Sequence, residues 1–134
     1  MATALTLEEL GRADGMERVH AVEQGLPVSL IRSLVREGFS LGELARVIAP
    51  RRTLERRLKG GGRLTTDESD RLSRLQQVYE LALDTFEDPA ETIDWLRSPL
   101  RAFDENAPLD LVKTSAGAQE VKDLLQRAFH GMLA

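Results

Sequence analysis

The chain has 134 residues, 42% of them hydrophobic, no cysteine, and a formal charge of −4 at pH 7. A chain of this length buries roughly two-thirds of its unfolded surface and folds without a staple. The missing cysteines exclude disulfides and thiolate metal sites and suit a reducing cytoplasm. Glu8 and Glu9 interrupt what would be the basic start and apolar run of a signal peptide, and no apolar stretch approaches the length of a membrane span.

Residues 1–24 have weak periodicity, interrupted by Gly11 and Gly15, and read as a loosely structured arm holding at most one helix. Leu26-Pro27 is then expected to open a helix, because proline suits a first turn. Val28, Ile31, Leu34 and Val35 would share its inner face, and Gly38 would end it. Ser40-Leu41-Gly42-Glu43 has the capping-box pattern. It starts a short helix over Ser40–Ala49, with Leu41, Leu44, Ala45 and Ile48 inward. Pro50 cannot continue that helix. A third helix over Arg52–Lys59 ends at Gly60-Gly61-Gly62.

Thr65-Thr66-Asp67-Glu68 is a second capping box and opens the longest helix, Thr66 to Phe86. Leu72, Leu75, Val78, Tyr79, Ala82 and Phe86 recur along it at three- and four-residue steps. At 1.5 Å per residue it would run roughly 30 Å and join two halves of the molecule. Asp88-Pro89 caps a helix reaching Arg97. Ser98–Pro108 reads as a loop, followed by a helical turn at Leu109–Val112. The last helix is expected over Ser115–Phe129, with Ala118, Val121, Leu124, Leu125 and Ala128 as its apolar stripe. The expected fold is all-α: an N-terminal arm (1–24), a helix-turn-helix bundle (25–64), and a long connecting helix leading into a helical C-terminal domain (65–134).

Charge is distributed unevenly. Residues 1–50 carry a net −2, residues 51–74 a net +4, and residues 75–134 a net −6. A basic band between two acidic arms suggests a local polyanion site, with other surfaces free for a partner. Ser40–Ala49 and Arg52–Lys59 have the lengths and the tight junction of a helix-turn-helix, whose second helix lies in the major groove. Leu54 and Leu58 would anchor that second helix. Ser40, Arg51, Arg52, Thr53, Arg56, Arg57 and Lys59 are the candidate DNA contacts, with Arg52, Thr53, Arg56 and Arg57 projecting outward. On charge alone, a solvated basic face explains the same run equally well. No aromatic residues interleave the arginines, which favours duplex DNA over single strands or RNA.

Nothing points to an enzyme. His20 and His130 are far apart, and no nucleophile, base and acid converge in a motif. The glycine triplet lacks the Lys-Ser/Thr and preceding strand of a phosphate loop. No cofactor or metal site is expected. His20 falls on the arm, and His130 sits near a helix C-terminus, where a cation interacts favourably with the dipole.

The run Arg52-Thr53-Leu54-Glu55-Arg56-Arg57-Leu58 resembles the Xre/MbcA/ParS antitoxin family. So do Leu64-Thr65, Glu68-Ser69, Arg71-Leu72 and Arg74-Leu75, and Trp95-Leu96 followed by a proline. The end is similar throughout: Pro108-Leu109-Asp110-Leu111, Thr114, Gly117-Ala118, Val121, Leu124-Leu125 and Gly131 keep the family's order and spacing. The resemblance covers about residue 25 to the C-terminus. It implies a helix-turn-helix joined to a toxin-binding C-terminal domain. It also implies a RES-domain toxin partner that consumes NAD or transfers its ADP-ribose, neutralised by covering of its active site. It further implies operator binding as a homodimer or larger assembly. Two positions depart from the family: Asp104-Glu105-Asn106 replaces a glycine-containing turn, and Ala49-Pro50 replaces the usual turn before the recognition helix.

Trp95 is a residue type enriched at binding hot spots, although the single tryptophan of the chain, at a helix end, is better read as filling the core. Lys113, Thr114, Gln119, Lys122, Gln126, His130, Gly131, Met132 and Ala134 are the other candidate toxin contacts, and the acidic C-terminal half suits a basic partner. The rival readings are a stand-alone helix-turn-helix regulator whose C-terminal half dimerises, and an adaptor whose arginine band meets an acidic protein.

Overall fold

The computed structural model describes residues 5–133. Nine α-helices and one 3-10 turn lie within them: α1 (Leu7–Arg12), α2 (Gly15–Gln24), α3 (Ser29–Glu37), α4 (Leu41–Ala45), α5 (Arg51–Gly60), α6 (Thr66–Phe86), α7 (Pro89–Arg97), the turn Arg101–Phe103, α8 (Pro108–Leu111) and α9 (Ser115–Leu133). No strand forms among the described residues, and the fold is all-α. Two isolated antiparallel bridges, Pro27 with Arg63 and Leu100 with Asn106, pinch the chain between helices.

The helix boundaries follow from capping chemistry. Both capping boxes form, Ser40 with Glu43 and Thr65 with Glu68, and Asp88 accepts from the Glu91 N–H ahead of Pro89. Each cap satisfies donors that helix geometry leaves without an intrahelical partner. Gly38, at φ 131°, ends α3 in a backbone conformation that a side chain resists.

α6 is the axis of the molecule, with α1, α2, α7 and α9 packed on it. Leu72, Leu75, Val78, Tyr79 and Ala82 are buried along it. Its polar residues Ser69, Ser73 and Gln76 are buried too, because they dock the N-terminal segment. The Leu26 N–H donates to Ser69 Oγ at 2.8 Å. Arg18 donates to Ser73 Oγ at 2.7 Å, and Gln76 Nε2 donates to the Leu7 carbonyl at 3.1 Å.

The N-terminal segment is therefore no loose arm. α1 and α2 are defined helices, Leu10 is fully buried, and Thr6 caps α1 by accepting from the Glu9 N–H. Gly11 marks close packing here, because a Cβ would stand 2.9 Å from Gln76 Nε2 and Glu80 Oε1. Three further expectations are corrected. α3 starts at Ser29, since Pro27 is held in its bridge to Arg63, and its inner face uses Leu30 while Val35 is exposed. α4 ends at Ala45 and a turn carries the chain to Pro50. On α9, Ala118, Val121 and Leu125 are buried, but Leu124 is half-buried and Ala128 exposed, because the helix runs beyond the core.

Gly117 lies where α9 crosses the end of α8. A Cβ there would sit 2.0 Å from the Leu111 carbonyl oxygen, a backbone atom that cannot swing aside. Gly117→Ala is expected to cost about 2 kcal/mol through overpacking and to lower the melting temperature by roughly 5–10 °C. An unchanged melting temperature in thermal denaturation would refute that tight crossing.

Candidate functional site

α4 and α5 form the helix-turn-helix. Leu44, Val47, Ile48 and Leu54 are buried between them and the core, and Leu58 packs at its margin. Pro50 stands at the N-cap of α5 with φ −51° and ψ 147°, an extended conformation that turns the chain without glycine. Thr53 is half-buried. Arg52, Arg56 and Lys59 are exposed, and among the described residues none of the three makes an ion pair or side-chain hydrogen bond. Arg51, also exposed, pairs with Glu55 one turn on, at 3.2 Å. Ser40 sits at the start of α4, its hydroxyl accepting from the Glu43 N–H.

Arg57 departs from expectation. It does not project freely: its Nε and Nη2 donate to the two Glu68 carboxylate oxygens at 3.1 and 3.2 Å, and its side chain is 26% exposed against 9% for Glu68. Glu68 also accepts from the Thr65 N–H at 2.9 Å. Burial pushes the Glu68 carboxyl up, but the Thr65 hydrogen bonds and the Arg57 guanidinium together outweigh burial and hold it below the ordinary carboxylate range. One carboxylate thus fixes α5 against the start of α6.

Two further ion pairs, invisible in local spacing, join the helix-turn-helix to the C-terminal half. Arg97 at the end of α7 donates to both Glu43 oxygens at 2.9 and 3.1 Å and to the Gly38 carbonyl. Arg46, just after α4, pairs with Asp110 of α8. No pattern of residues 54 and 64 positions apart announces them.

In the C-terminal half, Trp95 is half-buried and packs on Phe86, ring centroids 5.4 Å apart. Lys113 is exposed. The Thr114 hydroxyl accepts from the Gly117 N–H at 3.0 Å and caps α9. Gln119 is exposed and donates to Asp123 at 2.8 Å. Gln126 and His130 are exposed and line one shallow depression with Asp123 and Arg127, and Gly131 is exposed beside them. Met132 belongs to the last turn of α9, and Ala134 lies outside the described residues. Lys122 was expected among the free polar residues, yet it is half-buried and its Nζ donates to Gln77 Oε1 at 2.9 Å. The sequence-predicted contacts therefore fall into two main groups, one on α5 with Ser40 at the start of α4, and one along α9 with Lys113 and Thr114 just ahead of it, while Trp95 stands apart on α7.

The turn at Asp104-Glu105 keeps left-handed backbone at both residues, φ 54° and 66°, although neither is glycine. Leu100 and Asn106 close it through their bridge. Among the described residues, no three His, Asp or Glu side chains converge so as to hold a metal ion, and no helix is long and apolar enough to cross a membrane.

The chain thus sets a helix-turn-helix, whose Arg52, Arg56 and Lys59 make no ion pair among the described residues, against further helices packed along the long α6. Residues 17–77 match the Antitoxin Xre-like helix-turn-helix domain, and residues 81–131 match the Antitoxin Xre/MbcA/ParS C-terminal toxin-binding domain. Antitoxin Xre of Yersinia enterocolitica is 32% identical over 123 residues, spanning 90% of this chain and 83% of its own. Antitoxin Xre of Photorhabdus laumondii is 30% identical over 116 residues, spanning 84% and 78%. A third, from Pseudomonas putida, is 32% identical over 84 residues, spanning 63% and 53%. The chain belongs to the Xre/MbcA/ParS antitoxin family.

The Glu68 carboxyl titrates lower in the fold than in the unfolded chain. Its stabilisation is present above the ordinary carboxylate pKa of about 4.3 and is lost as pH falls through the lower folded value. Glu68→Gln is expected to cost about 1–3 kcal/mol at pH 7, because Arg57 loses its charged partner. The difference from wild type should shrink in denaturant titrations as pH drops below 4. A constant difference down to pH 2 would show that the charge on Glu68 is irrelevant.

Proposed function

We propose that this chain is a type II antitoxin that neutralises a RES-domain, NAD-consuming toxin by steric occlusion of its active site and represses its own operon by binding operator DNA. The observation that carries the DNA half is the trio Arg52, Arg56 and Lys59. Three cations on one short helix are exposed and unneutralised, while Leu54 anchors the helix from behind. Such a face offers charge to phosphates and side chains to base edges. Ser40, Arg51 and Thr53 flank it. Arg57 supports it from within, through Glu68.

The toxin half rests on the family's C-terminal domain and on the exposed polar residues of α9, Gln119, Gln126 and His130, with Lys113 ahead of them. No chemistry is assigned to this chain: it acts by filling space at the toxin's active-site entrance. Assembly as a homodimer or larger oligomer would present two recognition helices to a palindromic operator, and the reading places both partners in the cytoplasm.

Operator binding should weaken steeply with salt, because phosphate contacts release counterions. Arg52→Ala with Arg56→Ala should weaken binding in a gel-shift titration and reduce the slope of log K against log salt by roughly 2 for each chain bound. Arg57→Ala should instead act mainly through stability. Unchanged affinity in the double variant would remove α5 as the recognition helix.

The toxin assignment is tested by co-expression with the product of the neighbouring gene while growth and cellular NAD are followed. The neighbour alone should stop growth and deplete NAD, and this chain should restore both and co-purify with it. Gln126→Arg combined with His130→Glu should impair rescue without lowering the melting temperature. A harmless neighbour that fails to co-purify would leave a lone DNA-binding regulator as the better account.

A further inference from the structure

Unpaired positive charge in the first half of the chain is not confined to α5. Within residues 5–60, the exposed cations that have no carboxylate partner among the described residues are Arg52, Arg56 and Lys59 of α5 and Arg32 and Arg36 of α3. The other exposed cations of that stretch, Arg12, Arg46 and Arg51, pair with Glu8, Asp110 and Glu55. On α3 the inner face is taken by Leu30, Ile31 and Leu34. Arg32 and Arg36, one turn apart, therefore share the outer face.

α3 is tied to the end of α5. Arg32 Nη2 donates to the Leu58 carbonyl, one of the last carbonyls of α5, which helix geometry leaves without an intrahelical donor. A guanidinium there also meets the negative end of the helix dipole. That carbonyl belongs to the peptide joining Leu58 to Lys59, so the contact brings the Arg32 charge to the same end of α5 as Lys59. Arg36 has no such tie: its side chain donates only to Ser33 Oγ on its own helix, at 3.1 Å. Two carboxylates could have neutralised this face, and neither does. Glu37 lines a depression at the start of α7 with Asp88 and Asp94, and Glu55 is committed to Arg51.

We infer that the DNA-facing surface extends from α5 onto α3, where Arg32 and Arg36 hold backbone phosphates flanking the site that α5 reads. The inference rests on the reading of α5 as the recognition helix. Arginine suits the task, because its planar fork donates two parallel hydrogen bonds to a phosphate. Contacts of this kind fix register and orientation and carry no sequence information. They raise the salt slope expected of one chain from about −3 for the α5 trio to about −4.5, still below that of a tight operator complex.

The test uses the full chain and two duplexes, the DNA upstream of its gene and one of equal length and scrambled sequence, titrated across a range of salt. Arg36→Gln should weaken binding to both duplexes by a similar factor, roughly threefold or more at low salt, and reduce the slope by about 1 for each chain bound. Its melting temperature should not change, since Arg36 bonds only within α3. Arg32→Gln should lower affinity and melting temperature together, because it also frees the Leu58 carbonyl. Arg32→Lys, which keeps the charge, should keep the salt slope. An unchanged slope in Arg36→Gln, with wild-type binding still steeply salt-dependent, would overturn the extension onto α3 and leave α5 standing. Weakening on the upstream duplex alone would show base reading and would overturn the phosphate assignment. A wild-type chain that binds neither duplex would remove the DNA reading of α5, and the extension with it.

Discussion

The structure depends on a polar stripe inside a helix. Ser69, Ser73 and Gln76 stand at i, i+4 and i+7 on α6, all buried, and each holds a different point of the first 26 residues. A buried polar group without its partner costs about 1–3 kcal/mol, so α6 and the N-terminal segment each require the other. On its other faces α6 carries Leu72, Leu75, Val78 and Tyr79, with Tyr79 edge-on to Phe39 at 5.5 Å. The apolar faces supply the burial. The polar stripe sets the register, because one step along the helix would leave Leu26 and Arg18 without acceptors.

A second set of polar contacts fixes the DNA-facing helix. Glu68 closes the cap of α6 and grips Arg57 of α5 with the same carboxylate. Glu43 closes the cap of α4 and receives Arg97 from α7. Surface ion pairs contribute little individually. Glu43, however, is only 14% exposed on its side chain, and its geometry is already fixed by the cap, so less side-chain entropy is lost on pairing. Both capping boxes thus do a second task, each holding a neighbouring helix. Arg97 and Asp110 thereby connect α7 and α8 to α4 and the residue that follows it.

The sequence made most helices legible because their ends carry caps and their faces carry period. α6 and α7 begin and end at the residues their caps indicate. The N-terminal helices are not legible in the sequence, for a physical reason. They dock through Arg18, the Leu7 carbonyl and a glycine chosen for close approach, so they lack a continuous apolar stripe. The partners of Arg57 and Lys122 are hidden for a related reason: a run of charges says nothing about a carboxylate 11 residues away or an amide 45 residues away. Ala128 kept the right spacing for burial, but spacing cannot say where α9 outruns the core. Asp104 and Glu105 adopt left-handed backbone without glycine, which residue type alone would not suggest.

A net charge of −4 argues against DNA only if charge is averaged over the molecule. Exposed charges farther apart than about 8 Å are largely screened at physiological salt, so the local set decides. Of the eight cations between residues 51 and 74, five are committed internally: Arg51 to Glu55, Arg57 to Glu68, Arg63 to the Gly25 carbonyl, Arg71 to the Ile48 carbonyl and Arg74 to Asp70. Arg52, Arg56 and Lys59 remain. If each neutralised one phosphate, a single copy would give a salt slope of only about −3, far below that of a tight operator complex. The same arithmetic doubles for two copies on a palindrome. On the operator-binding reading, then, the small number of free cations on α5 is itself the reason that affinity must come from more than one chain.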